Sequence, residues 1–300
     1  MPHDIKTVLA GTSLDLASDA VVRAAVEIAR RCGADLHLFH AHSLPVAYFA
    51  APSGLTSVGP GLLEGERQVR QQLLRQQLER LGVDESAVAG TTIEAGAAHR
   101  MLLETADDVG ADLVVMGSSE TDGLALLGST TDRVLRKSKV PVWVVDGRPR
   151  LPPVEVLAPV DLSPLAEECV GRGLRILDRI CGSDPPRVEA LFVLTHEEIE
   201  GSRQFEPEQI RRLADEELES FALRLDPEGR RGLRTEVREG EIRSEILRDV
   251  AEKPIDLVVL GTHGRSGFER FLLGSVAADV AARAPISVLV VPPEAAQGAS

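Results

Sequence analysis

The segment ADLVVMGSSETDGLALLGSTTDRVL, beginning at Ala111, returns 144 residues later as IDLVVLGTHGRSGFERFLLGSVAADVA, beginning at Ile255. Asp112 answers to Asp256, Gly117 to Gly261, and Gly128-Ser129 to Gly274-Ser275. A repeat about one domain long marks a duplication, not a short-repeat solenoid, so the fold must be one that can be built twice. The openings agree as well, since KTVLAGTSLD is echoed by VEVLAPVDLS, and VPVWVV closes the first half as ISVLVV closes the second. Between them DGRPRLPPVE reads as a linker whose prolines disfavour helix and sheet pairing alike. This gives an N-terminal domain over residues 1–148 and a C-terminal domain over 152–300.

Within each half, short apolar runs alternate with segments of helical periodicity, in the order β-α-β-α-β-α-β-α-β. The first half offers KTVLAG, the helix ASDAVVRAAVEIARRCG, ADLHLFHAH, a long Gly/Pro-rich loop from Leu44 to Leu63, the helix LLEGERQVRQQLLRQQLERLG, TTIEAG, AAHRMLLETADDVG, ADLVVMG, a helix after Gly128, and VPVWVV. The second half repeats that order. Strands joined by crossover helices pair in parallel with helices on both faces. Runs such as DLVVLG and SVLVV are apolar at consecutive positions, as strands covered on both sides require. The fold class is therefore α/β, with two tandem, doubly wound, five-stranded parallel sheets of Rossmann-like type. In such sheets ligands sit beyond the carboxyl ends of the strands, where the winding reverses.

Composition excludes several function classes. With 300 residues and 43% hydrophobic content, each half can bury its own core without disulfides or metal. Cys32, Cys169 and Cys181 are odd in number and lack metal-type spacing, which reads as buried free thiols. A net charge of −14 repels nucleic acid and anionic membranes, and no run of about 18 apolar residues suggests a span. The expectation is a soluble, cytoplasmic protein with neither nucleic acid nor membrane as partner.

The ligand chemistry concentrates after IDLVVL. Gly261, two residues, Gly264, nine residues, then Gly274 and Ser275 place Cβ-free backbone and a helix start where amides can meet an anion. This array resembles the nucleotide-binding signature of universal stress protein domains, and the resemblance covers essentially the whole chain. It implies a fold of the adenine nucleotide alpha hydrolase-like type, ATP as ligand, Mg²⁺ with it, and edge strands that build dimers. By residue it carries over to Gly261, Gly264, Gly274 and Ser275, with Thr262, His263 and Val276 as pocket-lining neighbours. Arg265 reads as a phosphate contact or as a solvated loop residue. His263 stands without a paired nucleophile or carboxylate, so it reads as a backbone-positioning residue, and no catalytic residue is assigned. Leu194 is a candidate for the strand end flanking adenine. Asp161, at the carboxyl end of VEVLAPVD, faces the same crevice and can accept from ribose or hold Mg²⁺ through water. Its alternative role is to cap the helix opening near Ser163, and the two roles are compatible.

The first half departs from the pattern at three places. Glu120 replaces Gly264, the interval to Gly128 is two residues shorter, and Ser13 replaces Asp161 with Asp15 displaced. A carboxylate about 4 Å from phosphate costs about 1–4 kcal/mol, so the first half should bind ATP poorly or not at all. His40 and His42 share a strand face, a spacing that suits metal, yet no convergent third ligand is visible. Neither first strand is followed by a Ser-Gly-Gly-x-Asp-Ser loop, and Walker A and dinucleotide fingerprints are absent.

The function expected is an ATP-binding regulatory protein with one working site, at most a slow ATPase. It would use an intrachain pseudo-dimer, with a homodimer and an unidentified protein partner left open. Two alternatives stand beside it: an interaction protein with a vestigial pocket, and an apolar small-molecule binder using Val46, Tyr48, Phe49 and Leu55 of the long loop.

Overall fold

A computed structural model of the chain describes residues 4–43, 60–118, 127–202, 204–262 and 273–294. The first half runs β1 (Thr7–Gly11), α1 (Asp19–Cys32), β2 (Asp35–His42), α2 (Pro60–Leu81), β3 (Gly90–Ala95), α3 (Ala98–Asp108), β4 (Leu113–Gly117), α4 (Ser129–Lys137) and β5 (Val142–Val145). The second runs β6 (Glu155–Val160), α5 (Pro164–Cys181), β7 (Arg187–Leu194), α6 (His196–Gly201), α7 (Pro207–Leu225), β8 (Arg234–Glu239), α8 (Ile242–Glu252), β9 (Leu257–Gly261), α9 (Ser275–Arg283) and β10 (Ser287–Val291). The expected alternation is present in both halves. Two boundaries move: α2 starts at Pro60, inside the stretch read as loop, and α6 interrupts what read as a plain connection.

The strands form a single sheet in the order β3-β2-β1-β4-β5-β10-β9-β6-β7-β8. Every pairing is parallel except β5 with β10, where Trp143 lies opposite Leu289 in an antiparallel register. The two apolar closing strands thus cover each other's edges within one chain, which removes the exposed pairing surface each half would otherwise present. Each half keeps its own doubly wound order, and the duplication reads out as near-symmetry about the β5–β10 seam.

The repeated aspartates explain part of the duplicated phrase. Asp112 Oδ2 accepts from the backbone N–H of Lys6 and Thr7 at 2.7 and 3.0 Å. Asp256 Oδ2 accepts from Val154 and Glu155 at 2.8 and 3.0 Å. Each carboxylate ties the entry of its central strand to the strand beside it, satisfying amides the ladder leaves unpaired.

Two core layers flank the sheet and both run across the seam. One gathers α1, α2, α5 and α7, with Ile28, Leu174 and Phe221 fully buried. The other gathers α3, α4, α8 and α9, with Val134, Ile246 and Val280. Helix α5 lies close on the sheet because Gly173 has no side chain; a Cβ there would stand 2.5 Å from Val259 Cγ1 and 3.3 Å from Val291 Cγ2. No helix among the described residues is long and apolar enough to cross a membrane.

Candidate functional site

In the second half, β6 lies between β9 and β7, which is where the winding reverses. Pro159 in β6 has no N–H to give the ladder. The β6–β9 pairing runs only from Val156↔Leu257 to Leu157↔Val258, whereas β1–β4 continues from Val8↔Leu113 to Ala10↔Val115. The strands therefore part early on their carboxyl side, and a cavity of about 330 Å³ opens there.

Three strand ends and residues from four helices, α5, α6, α8 and α9, wall this cavity. From β6 come Pro159, Val160 and Asp161; from β7 come Leu191, Phe192 and Val193; from β9 come Leu260, Gly261 and Thr262. Ile242 and Ile246 of α8 close one side, and Gly274, Ser275 and Val276 bring the start of α9 to the edge. The strand order sets the chemistry across the site. Helix-start amides lie after β9, the Asp161 carboxylate follows the central β6, and Glu198 of α6 follows β7 on the far side.

Asp161 does two things at once. Its Oδ1 accepts from the backbone N–H and hydroxyl of Ser163 at 3.0 and 2.6 Å, while Ser163 Oγ caps α5 by accepting from Ala166 N at 3.1 Å. The turn passes through Leu162 at φ 63°, a left-handed conformation rare for leucine. The cap itself is Ser163; Asp161 holds that serine and lines the cavity as well.

The start of α9 is held by Gly274 N donating to Thr262 O at 2.6 Å, with Thr262 N donating in turn to Val291 O at 3.1 Å. No acidic residue occupies the first turn of α9. Among the described residues no carboxylate faces its N-terminal amides, whose partial positive charge suits an anion.

Of the residues singled out in the sequence, Asp161, Gly261, Thr262, Gly274, Ser275 and Val276 converge on this cavity. His263, Gly264 and Arg265 lie outside the described residues. Leu194 is buried in the core layer of α5 and α7 and is not among the residues lining this cavity. Leu191 and Val193 share the face of Leu260 and Ile246, Phe192 reaches the cavity from the other core layer, and the β7 wall stops at Val193, one residue short of Leu194. Sequence reasoning missed Glu198, Ile242 and Ile246. Glu198 had a readable signal in Thr195-x-x-Glu198, a capping box in which Glu198 Oε2 accepts from Thr195 N and Oγ, both at 2.9 Å.

The first half keeps the scaffold and alters the chemistry. At β1 the aspartate and serine exchange places: Ser13 Oγ donates to Asp15 Oδ1 at 2.7 Å across Leu14, again left-handed at φ 66°. The carboxylate caps the short 3-10 turn Leu16–Ser18 that leads into α1, accepting from Ser18 N at 3.1 Å, and a hydroxyl stands where Asp161 would be. Beneath it the buried Gln77 accepts from Thr12 Oγ1 at 2.8 Å and donates to Ser18 Oγ at 3.1 Å. At α4, Thr131 Oγ1 donates to Gly117 O at 2.8 Å where the second half has Ala277, and Asp132 sits in the first helical turn where the second half has Ala278. Asp132 puts a carboxylate in that first turn, paired with Arg136 Nη2 at 2.9 Å, where the second half carries no acid. Glu120, its shortened loop, and Val46, Tyr48, Phe49 and Leu55 lie outside the described residues.

The remaining candidates have local explanations. His40 is buried, its Nδ1 2.8 Å from Thr12 O, and burial pushes its pKa below the usual histidine range. His42 stacks on it with ring centroids 6.3 Å apart. Among the described residues, the group of three potential metal ligands is Glu189, Glu236 and Asp249, and the Lys253 ammonium already bridges all three. Burial raises Cys169 to about 12 and Cys32 and Cys181 to about 11, so these thiols stay protonated.

The model of the universal stress protein family matches residues 4–146 and again 155–292. A universal stress protein of Mycolicibacterium smegmatis is 28% identical over 306 residues, covering 95% of this chain and 97% of that one. A functionally unknown protein from Pseudomonas aeruginosa PAO1 shares the fold at 17% identity and TM-score 0.69, covering 98% of this chain and 94% of its own. A universal stress protein from Archaeoglobus fulgidus DSM 4304 does so at 16% identity and TM-score 0.61, with 97% of both chains covered. With two consecutive matches to one family model that together span most of its length, this chain belongs to the universal stress protein family.

Proposed function

We propose that the chain is an ATP-binding regulatory protein whose single working nucleotide site is the cavity of the second half. The observation that carries this reading is the convergence of Asp161, Gly261, Gly274 and Ser275 on one opening at the reversal of the sheet. The cavity suits such a ligand. Leu191, Val193, Ile242 and Ile246 offer apolar walls to a base, Asp161 offers an acceptor to ribose hydroxyls, and the uncompensated start of α9 offers amides to phosphate. Asp161 would also take Mg²⁺ through water, and the ion would supply charge neutralisation for the triphosphate in a chain of net charge −14.

Binding would act as a signal more than as a step in turnover. A nucleotide bridging β6, β9 and α9 favours whichever arrangement of those elements fits it, and a protein partner reads the shifted population. Hydrolysis is expected to be slow, with positioning of phosphate and no assigned base.

Gly264→Glu, which copies Glu120 of the first half, should abolish ATP binding without unfolding the chain. Undiminished binding in that variant would refute the site assignment. The predominance of apolar walls also favours a second reading, an apolar small molecule in the same cavity. Mass spectrometry of compounds released from the purified protein separates the two, with adenine nucleotide expected.

A further inference from the structure

Arg243 lies in the first turn of α8, between the cavity-lining Ile242 and Ile246, and reaches across to α9. Its Nη2 donates to Ser275 Oγ at 3.2 Å. It makes no other hydrogen bond among the described residues, and its Nε is enclosed without a hydrogen-bond partner. Among the described residues its ion-pair partner is Glu241, with Oε1 at 3.9 Å from that Nε. Glu241 is itself engaged, since its Oε2 accepts from Ser244 N and Oγ at 2.8 Å to start α8. Neighbouring arginines are spent differently. Arg248 pairs with Glu245 at 3.1 Å, and Arg238 is held among Glu236, Glu245 and Asp249. Arg243 instead directs its fork to the helix start that borders the cavity, and its side chain, 43% exposed, remains able to turn.

We propose that Arg243 receives the phosphate chain of the bound nucleotide, so that the site selects nucleoside di- and triphosphates over the free nucleoside. This rests on the nucleotide reading of the cavity and adds a residue to it. A planar guanidinium matches phosphate oxygens in bidentate geometry, which a serine hydroxyl can use only in part. An anion at the start of α9 would draw the fork from Ser275 and leave the hydroxyl free to donate to the same ligand. The first half is consistent with this role. Its counterpart to Arg243 is His99, which burial and the nearby Arg133, Lys137 and Arg100 push below the usual histidine pKa, and its helix start carries Asp132. Arg243 and a first helical turn without an acid occur together in one half, where the other has His99 and Asp132.

The test is calorimetric titration of the full chain with ATP, ADP and adenosine in the presence of Mg²⁺, for the wild type, Arg243→Ala and Arg243→Lys. Arg243→Ala should weaken ATP and ADP about tenfold, a charge-assisted bond discounted for exposure, and change adenosine less than twofold. Arg243→Lys should fall between, keeping charge but losing the fork. Unchanged ATP affinity in Arg243→Ala would overturn the proposal, as would a parallel loss for adenosine, which would mark a structural role. A wild type that binds none of the three would overturn the nucleotide reading itself. The buried Trp143 gives a fluorescence check that each variant is folded.

Discussion

A pair of side chains two residues apart separates the two halves. Asp161 and Ser163 in one copy, Ser13 and Asp15 in the other, make the same hydrogen bond across a left-handed leucine. The turn needs one carboxylate and one hydroxyl and is indifferent to their order; a ligand in the crevice is not. Asp161→Asn keeps an oxygen to accept from Ser163 but removes the charge. It should leave the denaturation midpoint within about 0.5 kcal/mol of wild type and weaken ATP–Mg²⁺ about tenfold by calorimetry. The cavity lining at this scale was legible at strand ends and the helix start, as for Gly261, Gly274, Ser275 and Asp161. Leu194 falls one residue beyond the cavity lining, which ends at Val193, and the run VEALFVL does not mark where along a strand a cavity wall stops. Glu198 was missed because a six-residue helix has too few turns to show an apolar stripe, although its capping box was there to be read.

Elements differ between the halves by small substitutions with geometric consequences. Pro159 shortens the β6–β9 ladder and widens the crevice; Gly11 at the same place in β1 has Leu102 Cδ1 3.1 Å from where its Cβ would stand. Helix α5 approaches β9 and β10 through Gly173, and Val259, branched and fixed in a central strand, cannot easily retreat. Gly173→Ala should therefore destabilise by about 1–3 kcal/mol in urea denaturation, despite the better helix propensity of alanine. The β8–α8 contact adds a pH dependence. Burial alone would raise the Glu236 carboxyl, but hydrogen bonds from Lys253 and Arg238 outweigh it and hold it at about 2. A depressed carboxyl contributes stability that is complete above its unfolded value near 4.5 and is lost as pH falls from there toward about 2. Glu236→Gln should cost about 1 kcal/mol at pH 7, allowing for partial exposure, and the gap to wild type should close across that interval. Helix and strand order were legible because buried parallel strands and amphipathic crossovers carry strong periodicities, while helix starts such as Pro60 fell inside a Gly/Pro-rich stretch that gave no period.

At the scale of the molecule, duplication was legible from the repeated phrase, and the seam from the apolar closing strands. The antiparallel β5–β10 register that makes the expected intrachain pair one continuous sheet was not, since no local pattern fixes it. The seam places Trp143 opposite Leu289 with both fully buried. Trp143→Ala should cost about 3–5 kcal/mol by denaturation read with far-UV circular dichroism, and should loosen both halves together, because each core layer crosses the seam. A loss confined to one half, seen as two separate transitions, would contradict that coupling. The central claim is that two copies of one scaffold share the chain while a single crevice holds nucleotide. Calorimetric titration of the intact protein with ATP and Mg²⁺ tests it most directly. One bound ATP per chain, lost in Gly264→Glu, is the result expected; two equivalent sites, or none, would contradict it.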